Sequence, residues 1–211
     1  LYTIANSPQQ NDKGEIEIEL CVRRCFYIDE VSGEEYPGLA SNFLCDAQPG
    51  DRITFTGPYG DAFVIPEDPE TNLLMIGTGT GIAPFISLLR GGEVYDRFEK
   101  VILVHSVRQQ QGLVFREELE AMQGVQFHYV ATVTREPFAN RERGSDLFCS
   151  GRLAEQLGLP AADPGQDRVM LCGNPNMNRD MTGYLQDNGW TMTNYKGVGN
   201  YSVEQAFVLE K

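Results

Sequence analysis

The sequence predicts a β segment followed by an α/β unit with a parallel sheet, and three observations carry that expectation. Residues 1–66 alternate apolar and polar positions between turn signals, residues 73–208 alternate short apolar runs with helical patterns, and a glycine–threonine turn joins the first of those runs to a helix. Strand and helix in strict turn imply right-handed crossovers and a parallel sheet covered on both faces. The first half instead suggests part of an antiparallel sheet or barrel.

The elements follow in order. Alternation is clearest at 15–23, EIEIELCVR, and at 52–56, RITFT, with breaks at Asn6-Ser7-Pro8, Pro37-Gly38, Pro49-Gly50 and Gly57-Pro58. A polar link at 67–72 then leads to runs at 73–76, 101–104, 125–133, 169–171 and 202–208, which read as strands. Between them, 82–90, 115–122, 152–157 and 176–188 read as helices. Two domains are expected, at 1–68 and 69–211. No repeat or low-complexity segment interrupts them.

Composition narrows the function. Seventeen basic against thirty acidic residues give a net charge of −13, which argues against nucleic acid or anionic lipid as a general partner. No apolar run approaches the roughly eighteen residues of a membrane span, and LYTIANSPQQ has neither the basic start nor the apolar core of a signal peptide. The five cysteines include no C-x-x-C pair, so neither a zinc site nor a disulfide framework is signalled, and a reducing cytoplasm is the expected location. Plant-type iron–sulfur spacing is absent too. His105 and His128 have no partner at metal or triad spacing and read as strand histidines, and no G-x-S-x-G elbow surrounds Ser106.

The run LLMIGTGTGIAP at 73–84 is the strongest single signal. Gly77, Gly79 and Gly81 let backbone N–H groups approach a phosphate closely, and the following helix offers the positive end of its dipole. The spacing G-x-G-x-G matches neither the dinucleotide fingerprint nor the Walker pattern, so a merely tight strand-to-helix turn is the competing reading. Ligands of a parallel sheet sit beyond the carboxyl ends of its strands. Thr134-Arg135 and Cys172-Gly173 fall at such ends beside the Gly77 turn. Arg135, Arg141 and Arg143 form either an anion site or a solvated basic loop. By residue type alone, Tyr2 is a half-buried strand aromatic, Ser41 a helix cap and Cys172 a small buried hydrophobe.

Several of these segments, in this order, resemble the ferredoxin–NADP reductase family, including the bacterial ferredoxin or flavodoxin reductases. The resemblance implies a partial antiparallel FAD-binding β-barrel followed by a parallel-sheet NADP-binding α/β domain. Leu1-Tyr2-Thr3 resembles the tail of the family's R-x-Y-S/T motif, implying that Tyr2 packs on the flavin and Thr3 bonds near its reactive N5. The motif's arginine would precede Leu1, so the chain is expected to start inside the motif and to lack the first barrel strands. Cys21-Val22-Arg23 with Tyr27 resembles the segment along the flavin's ribityl and phosphates, with Tyr27 on adenine. The stretch 38–44 resembles the one that wraps the FAD diphosphate, implicating Leu39, Ala40 and Ser41.

In the second half Gly79, Thr80 and Gly81 fall in the family's nucleotide-binding turn. Thr134, Arg135 and Arg143, with Asn140 and Arg141, resemble the segment that receives the 2′-phosphate, and Arg108 is a weaker candidate for the diphosphate. Cys172, Gly173 and Met177 resemble a C-G-x-x-x-M segment whose cysteine approaches the nicotinamide. In the tail, Glu204 matches an acid near that site, Ala206 a residue facing the flavin and Phe207 one near the cofactor. Thr3, Cys172 and Glu204 are thereby the implied catalytic residues.

The resemblance implies hydride transfer between nicotinamide C4 and flavin N5, linking NADPH to a ferredoxin or flavodoxin. Two alternatives stand beside it: the reductase portion of an oxygenase system, and a non-catalytic NADP(H)-binding module. Such carriers are usually acidic, so docking to a chain of charge −13 needs a local positive patch, for which Arg23, Arg24 and Arg90 are the candidates.

Overall fold

The computed structural model describes residues 2–57, 59, 63–66, 70–194 and 196–205. Its second half is built on five parallel strands in the order β5-β4-β3-β6-β7. These are β3 (Glu70–Thr78), β4 (Phe98–Val107), β5 (Phe127–Val133), β6 (Arg168–Gly173) and β7 (Tyr201–Gln205). The chain starts at the centre with β3, steps outward through β4 and β5, then returns to build β6 and β7 on the other side. The strand order therefore reverses between β3 and β6, and that switch point leaves a crevice at their carboxyl ends.

Alternation along β3 explains the two cores. Leu73 and Met75 face one side with Val101, Leu103, Met170 and Cys172. That layer is covered by α2 (Ala83–Gly91), α3 (Glu93–Arg97) and α4 (Arg116–Met122) through Phe85, Leu89, Val94 and Leu119. Leu74 and Ile76 face the other side with Ile102, Val104, Leu171 and Tyr201. Here the cover is α5 (Gly144–Cys149), α6 (Arg152–Leu157) and α7 (Pro175–Asp187), through Leu147, Leu153, Met181 and Leu185. A sheet buried on both faces needs continuous apolar strands, which the runs in this half supply.

In the first half β1 (Phe26–Ile28) and β2 (Glu35–Pro37) form a two-stranded antiparallel sheet, and α1 (Leu39–Asp46) follows. The expected strand at 15–23 is not one. That segment folds back as an arm on residues 4–11, with isolated bridges Ile4–Leu20 and Gln10–Ile16 and a bond from the Ala5 N–H to the Glu19 carbonyl at 2.8 Å. The 52–56 stretch carries no strand either, and Phe55 is 70% exposed. Alternation yields a strand only where a second layer covers the apolar face and a neighbour takes a continuous ladder of bonds; among the described residues, 15–23 meets only isolated bridges and 52–56 none. The expected link at 67–72 is also shorter than read, because β3 begins at Glu70. Asn72 is drawn into the sheet by donating its backbone and side-chain N–H groups to Asp167, at 3.1 and 2.8 Å.

Candidate active site

The glycine turn leaves β3 as a single 3-10 turn, Gly79–Ile82, and runs straight into α2. Its fit against β6 is decided by missing side chains. A Cβ on Gly81 would lie 2.3 Å from the Cys172 carbonyl oxygen, and one on Gly173 would lie 2.1 Å from Thr78 Oγ1. Only glycine lets the two turns close on each other. Thr78 completes the contact by accepting a bond from the Asn174 N–H at 2.7 Å, while Asn174 caps α7 by accepting from the N–H groups of Asn176 and Met177. Gly79 adopts a φ of +56° and has nothing within 4 Å on its Cβ side, so the outer face of the turn is open to a ligand.

His105 supports that turn from beneath, a role its sequence context did not disclose. It pairs in register with Gly77, is fully buried, and places Nε2 3.0 Å from the Gly79 carbonyl oxygen. A carbonyl can only accept, so Nε2 carries the proton, leaving Nδ1 to face the Tyr129 hydroxyl at 3.5 Å. Burial holds the ring neutral by lowering its pKa to about 4, partly offset by the bond to Gly79. The signal was available in principle: a histidine inside an apolar strand beside a glycine turn needs a polar partner.

At the same end of the sheet, Thr3 Oγ1 donates to the Glu204 carboxylate at 2.5 Å, across 201 positions of sequence. Glu204 is the register partner of Cys172, and its backbone carbonyl accepts from Asn178 Nδ2 at 3.1 Å. Thr3, Cys172, Gly173, Gly81 and Glu204 thus converge on the switch-point crevice. The Cys172 side chain is fully buried in the sheet core, and its pKa is driven up by burial and then by the Glu204 charge, so the thiol stays neutral. Met177 packs half-buried against the opposite core face.

The arginine loop lies beyond β4 and β5. Ser106 Oγ accepts from Thr132 Oγ1 and from the Gly144 N–H, both at 2.8 Å, which fixes Arg143 at the start of α5. The Thr134 and Arg135 N–H groups donate to the Val107 and Arg108 carbonyls at 3.0 and 2.9 Å. Arg108, Arg135, Arg141 and Arg143 are exposed and pair with no carboxylate among the described residues, unlike Arg24, Arg90, Arg116, Arg152 and Arg179. Asn140 is not free to join them, because its Nδ2 donates to the Ala131 carbonyl at 3.2 Å.

A separate group forms around α1. Ser41 is not its cap but sits in the first turn, where its hydroxyl accepts from the Cys25 N–H at 3.0 Å and donates to the Gly38 carbonyl at 3.3 Å. Leu39 and Ala40 are exposed, and Arg23 is exposed without an ion pair among the described residues. Tyr27 stacks on Tyr36 across the β1–β2 pair, with ring centroids 5.6 Å apart, a second ring the motif reading missed. Tyr2 is 42% exposed, and its pKa is raised by partial burial and then by Cys25 and Cys45. Cys21 and Val22 are half-buried, with Cys45 Sγ 3.8 Å from the Val22 carbonyl. Ala206 and Phe207 lie outside the described residues.

Two candidates for a docking patch are already neutralised. Arg24 is bonded to Asp46 at 2.5 Å, and Arg90 to Glu19 and Glu118 at 2.5 and 2.8 Å, leaving Arg23 alone of the three. A cavity of about 400 Å³ lined by Leu74, Ile102, Leu153 and Trp190 lies at the amino ends of the strands, beside Asn72 and Asp167, away from the crevice. No helix is long and apolar enough to cross a membrane, and no cluster of metal-ligating side chains occurs, among the described residues.

Comparison with known proteins agrees with this geometry. Residues 75–182 match the family described as oxidoreductase NAD-binding domain. The chain is 41% identical over 152 residues to a ferredoxin–NADP reductase of Azotobacter vinelandii and 40% identical over 151 residues to one of Pseudomonas aeruginosa. Each alignment covers 66% of this chain and 58% of the relative, so the chain spans little more than half the length of these relatives. Among solved structures, a ferredoxin–NADP⁺ reductase from Neisseria gonorrhoeae with bound FAD and NADP superposes with a TM-score of 0.69 at 26% identity, covering 95% of this chain and 84% of that one. A cytochrome P450 reductase from Amycolatopsis superposes with a TM-score of 0.69 at 25% identity, covering 97% and 55%. The glycine turn closed on the β6 turn, the sheet order and these matches together make the chain a member of the oxidoreductase NAD-binding domain family, similar to the ferredoxin–NADP reductases.

Proposed function

We propose that this chain works as an FAD-dependent oxidoreductase that moves electrons between NADPH and a one-electron carrier, a ferredoxin or a flavodoxin. The observation that carries the reading is the hydrogen bond from Thr3 to Glu204, which joins the first half of the chain to the crevice of the α/β sheet. A nucleotide held by one half and a flavin held by the other would meet there.

The residues present fit both groups. For NADP(H), the open outer face of Gly79 and Thr80 would take the diphosphate, and the unpaired Arg135, Arg141 and Arg143 the 2′-phosphate. For FAD, the Tyr27–Tyr36 pair offers a stacking platform. The first-turn N–H groups of Leu39, Ala40 and Ser41 have no intrahelical acceptor and, with Arg23, suit a diphosphate. A bound flavin supplies the conversion between two-electron and one-electron transfer. The chain's own part is orientation and proton handling. Thr3 and Glu204 would hold a proton at the crevice, buried and neutral Cys172 would support the β6 turn from the sheet core without acting as a nucleophile, and the two closed glycine turns would fix the floor on which the nicotinamide is oriented. Five free cysteines support the cytoplasmic setting that belongs to this reading.

Preparing the protein with FAD tests the proposal. A yellow protein absorbing near ~450 nm and bleached by NADPH supports it, that wavelength being a general property of flavins. A colourless protein that still binds 2′,5′-ADP would leave only a nucleotide-binding module. The likeness to the Amycolatopsis cytochrome P450 reductase favours a second reading, in which the carrier is replaced by an oxygenase component. Reduction of such a component in preference to ferredoxin or flavodoxin would decide for it.

A further inference from the structure

We infer that Arg90 is a positioning residue that clips the N-terminal arm, and with it Tyr2 and Thr3, to the helix that springs from the glycine turn. The inference rests on the proposed function for its catalytic consequence but on geometry for the clip itself. Arg90 lies in the last turn of α2, where a cation also meets the negative end of the helix dipole. Its guanidinium is used on every side. Nε and Nη2 donate to the two oxygens of Glu118 at 2.8 and 2.9 Å, and Nη1 donates to Glu19 at 2.5 Å and to the Ala5 carbonyl at 3.1 Å. The Phe115 ring lies 5.4 Å beneath the guanidinium, and Phe115 itself adopts a φ of +60°, a conformation that aromatic residues rarely take.

One helical turn earlier, Ser87 Oγ donates to the Asn6 carbonyl at 2.6 Å. Positions 87 and 90 share a face of α2, so one face holds two successive carbonyls of the arm. Asn6 in turn braces the arm's returning segment, its Nδ2 donating to the Glu17 carbonyl and its Oδ1 accepting from the Glu19 N–H, both at 2.9 Å. Thr3 lies two residues before Ala5 and meets Glu204 at the other end of this contact. Helix α2 therefore carries the phosphate turn at its start and the flavin-motif arm along its length. Motion of the arm relative to α2 would shift Tyr2 and Thr3, and the flavin beside them, relative to the nucleotide turn while leaving the nucleotide site itself unchanged.

Lysine cannot replace this arginine fully, since a single ammonium cannot meet four acceptors in a planar fork. The test compares wild type, Arg90→Lys, Arg90→Ala and Ser87→Ala as the full chain. Without any cofactor, amide hydrogen exchange at Ala5 and Glu19 should rise at least tenfold in Arg90→Ala and less in Arg90→Lys and Ser87→Ala. Exchange along β3 and β4 should stay unchanged. Raising salt to about 0.5 M should speed arm exchange in wild type and leave Arg90→Ala unaffected, because screening acts on the ion pairs that the variant lacks. With FAD bound, flavin reduction by saturating NADPH should slow at least tenfold in Arg90→Ala while the Kd for NADP⁺ stays within twofold. Unchanged arm exchange would overturn the clip. Faster exchange with an unchanged reduction rate, or a Kd that rises along with the loss of rate, would overturn the positioning role. A wild-type chain that NADPH fails to reduce would refute the proposed function, and the exchange data would still judge the clip.

Discussion

Replacing Gly81 by alanine probes the closure of the two turns most locally. The new Cβ would stand 2.3 Å from the Cys172 carbonyl oxygen, 2.6 Å from its carbon and 2.7 Å from Gly173 Cα, all backbone atoms of the β6 turn. A carbon normally meets a carbonyl oxygen at about 3.3 Å, so the turns must part by about 1 Å. No flexible side chain stands in the way to absorb that shift, which places the cost near the top of the overpacking range, about 3 kcal/mol. If the turn moves, the loss appears in nucleotide affinity, where about 3 kcal/mol is roughly a hundredfold in Kd. If it does not, the loss appears as strain in unfolding free energy. Calorimetric titration with 2′,5′-ADP and urea unfolding measure the two parts, whose sum should be about 3 kcal/mol. Gly183→Ala is the control. It sits exposed in α7 with nothing within 4 Å of its Cβ position, and should stabilise the protein by about 0.5–1 kcal/mol. A Gly81→Ala protein with both stability and affinity unchanged would refute the interlocked-turn account.

His105 predicts a pH dependence. Its pKa is lowered in the fold from 6.5 to about 4, so the unfolded chain binds the extra proton between those values, and stability present above pH 6.5 is lost as pH falls toward 4. The full loss is about 3 kcal/mol, and His105→Gln, which keeps an N–H for Gly79, should remove that part of the pH slope in urea titrations at several pH values. An unaltered slope in the variant would show that His105 titrates normally. Arg135→Ala should raise the KM for NADPH by about ten- to a hundredfold and that for NADH little, since a charge-assisted bond to phosphate contributes about 1.5–3 kcal/mol. Equal changes with both nucleotides would remove Arg135 from the 2′-phosphate site. Arg23→Glu should slow reduction of an acidic protein carrier while leaving a small dye unaffected. Arg24→Glu should act on stability instead, because its charge is already met by Asp46 at 2.5 Å. Matching losses with carrier and dye in Arg23→Glu would refute the docking role.

The α/β half was legible because its inner strands are buried on both faces and therefore appear as apolar runs, with helices of one apolar stripe between them. The helices α2, α4, α6 and α7 emerge close to the predicted spans. The short α3 and α5, of five and six residues, were not read, and α1 was signalled only by Ser41 taken as a helix cap. In the first half the alternation at 15–23 was real, yet strand formation depends on a neighbour and a covering layer, which no local pattern reports. The site showed the same division. Glycines and arginines at strand ends announced themselves by type, whereas the supports of the site, His105 under Gly79 and Ser106 under Gly144, act through contacts 26 and 38 positions apart. Arg90, read as surface charge for a partner, proved to be paired within the chain, because the arm that brings Glu19 and Ala5 to it is distant in sequence.

A crystal structure of the chain with FAD and NADP⁺ bound tests the central claim most directly. The account predicts both rings in the crevice at the carboxyl ends of β3 and β6, between the Thr3–Glu204 pair and the Gly81–Cys172 contact, with the 2′-phosphate on Arg135. A nicotinamide or flavin ring lodged elsewhere, such as the 400 Å³ cavity beside Trp190, would contradict it.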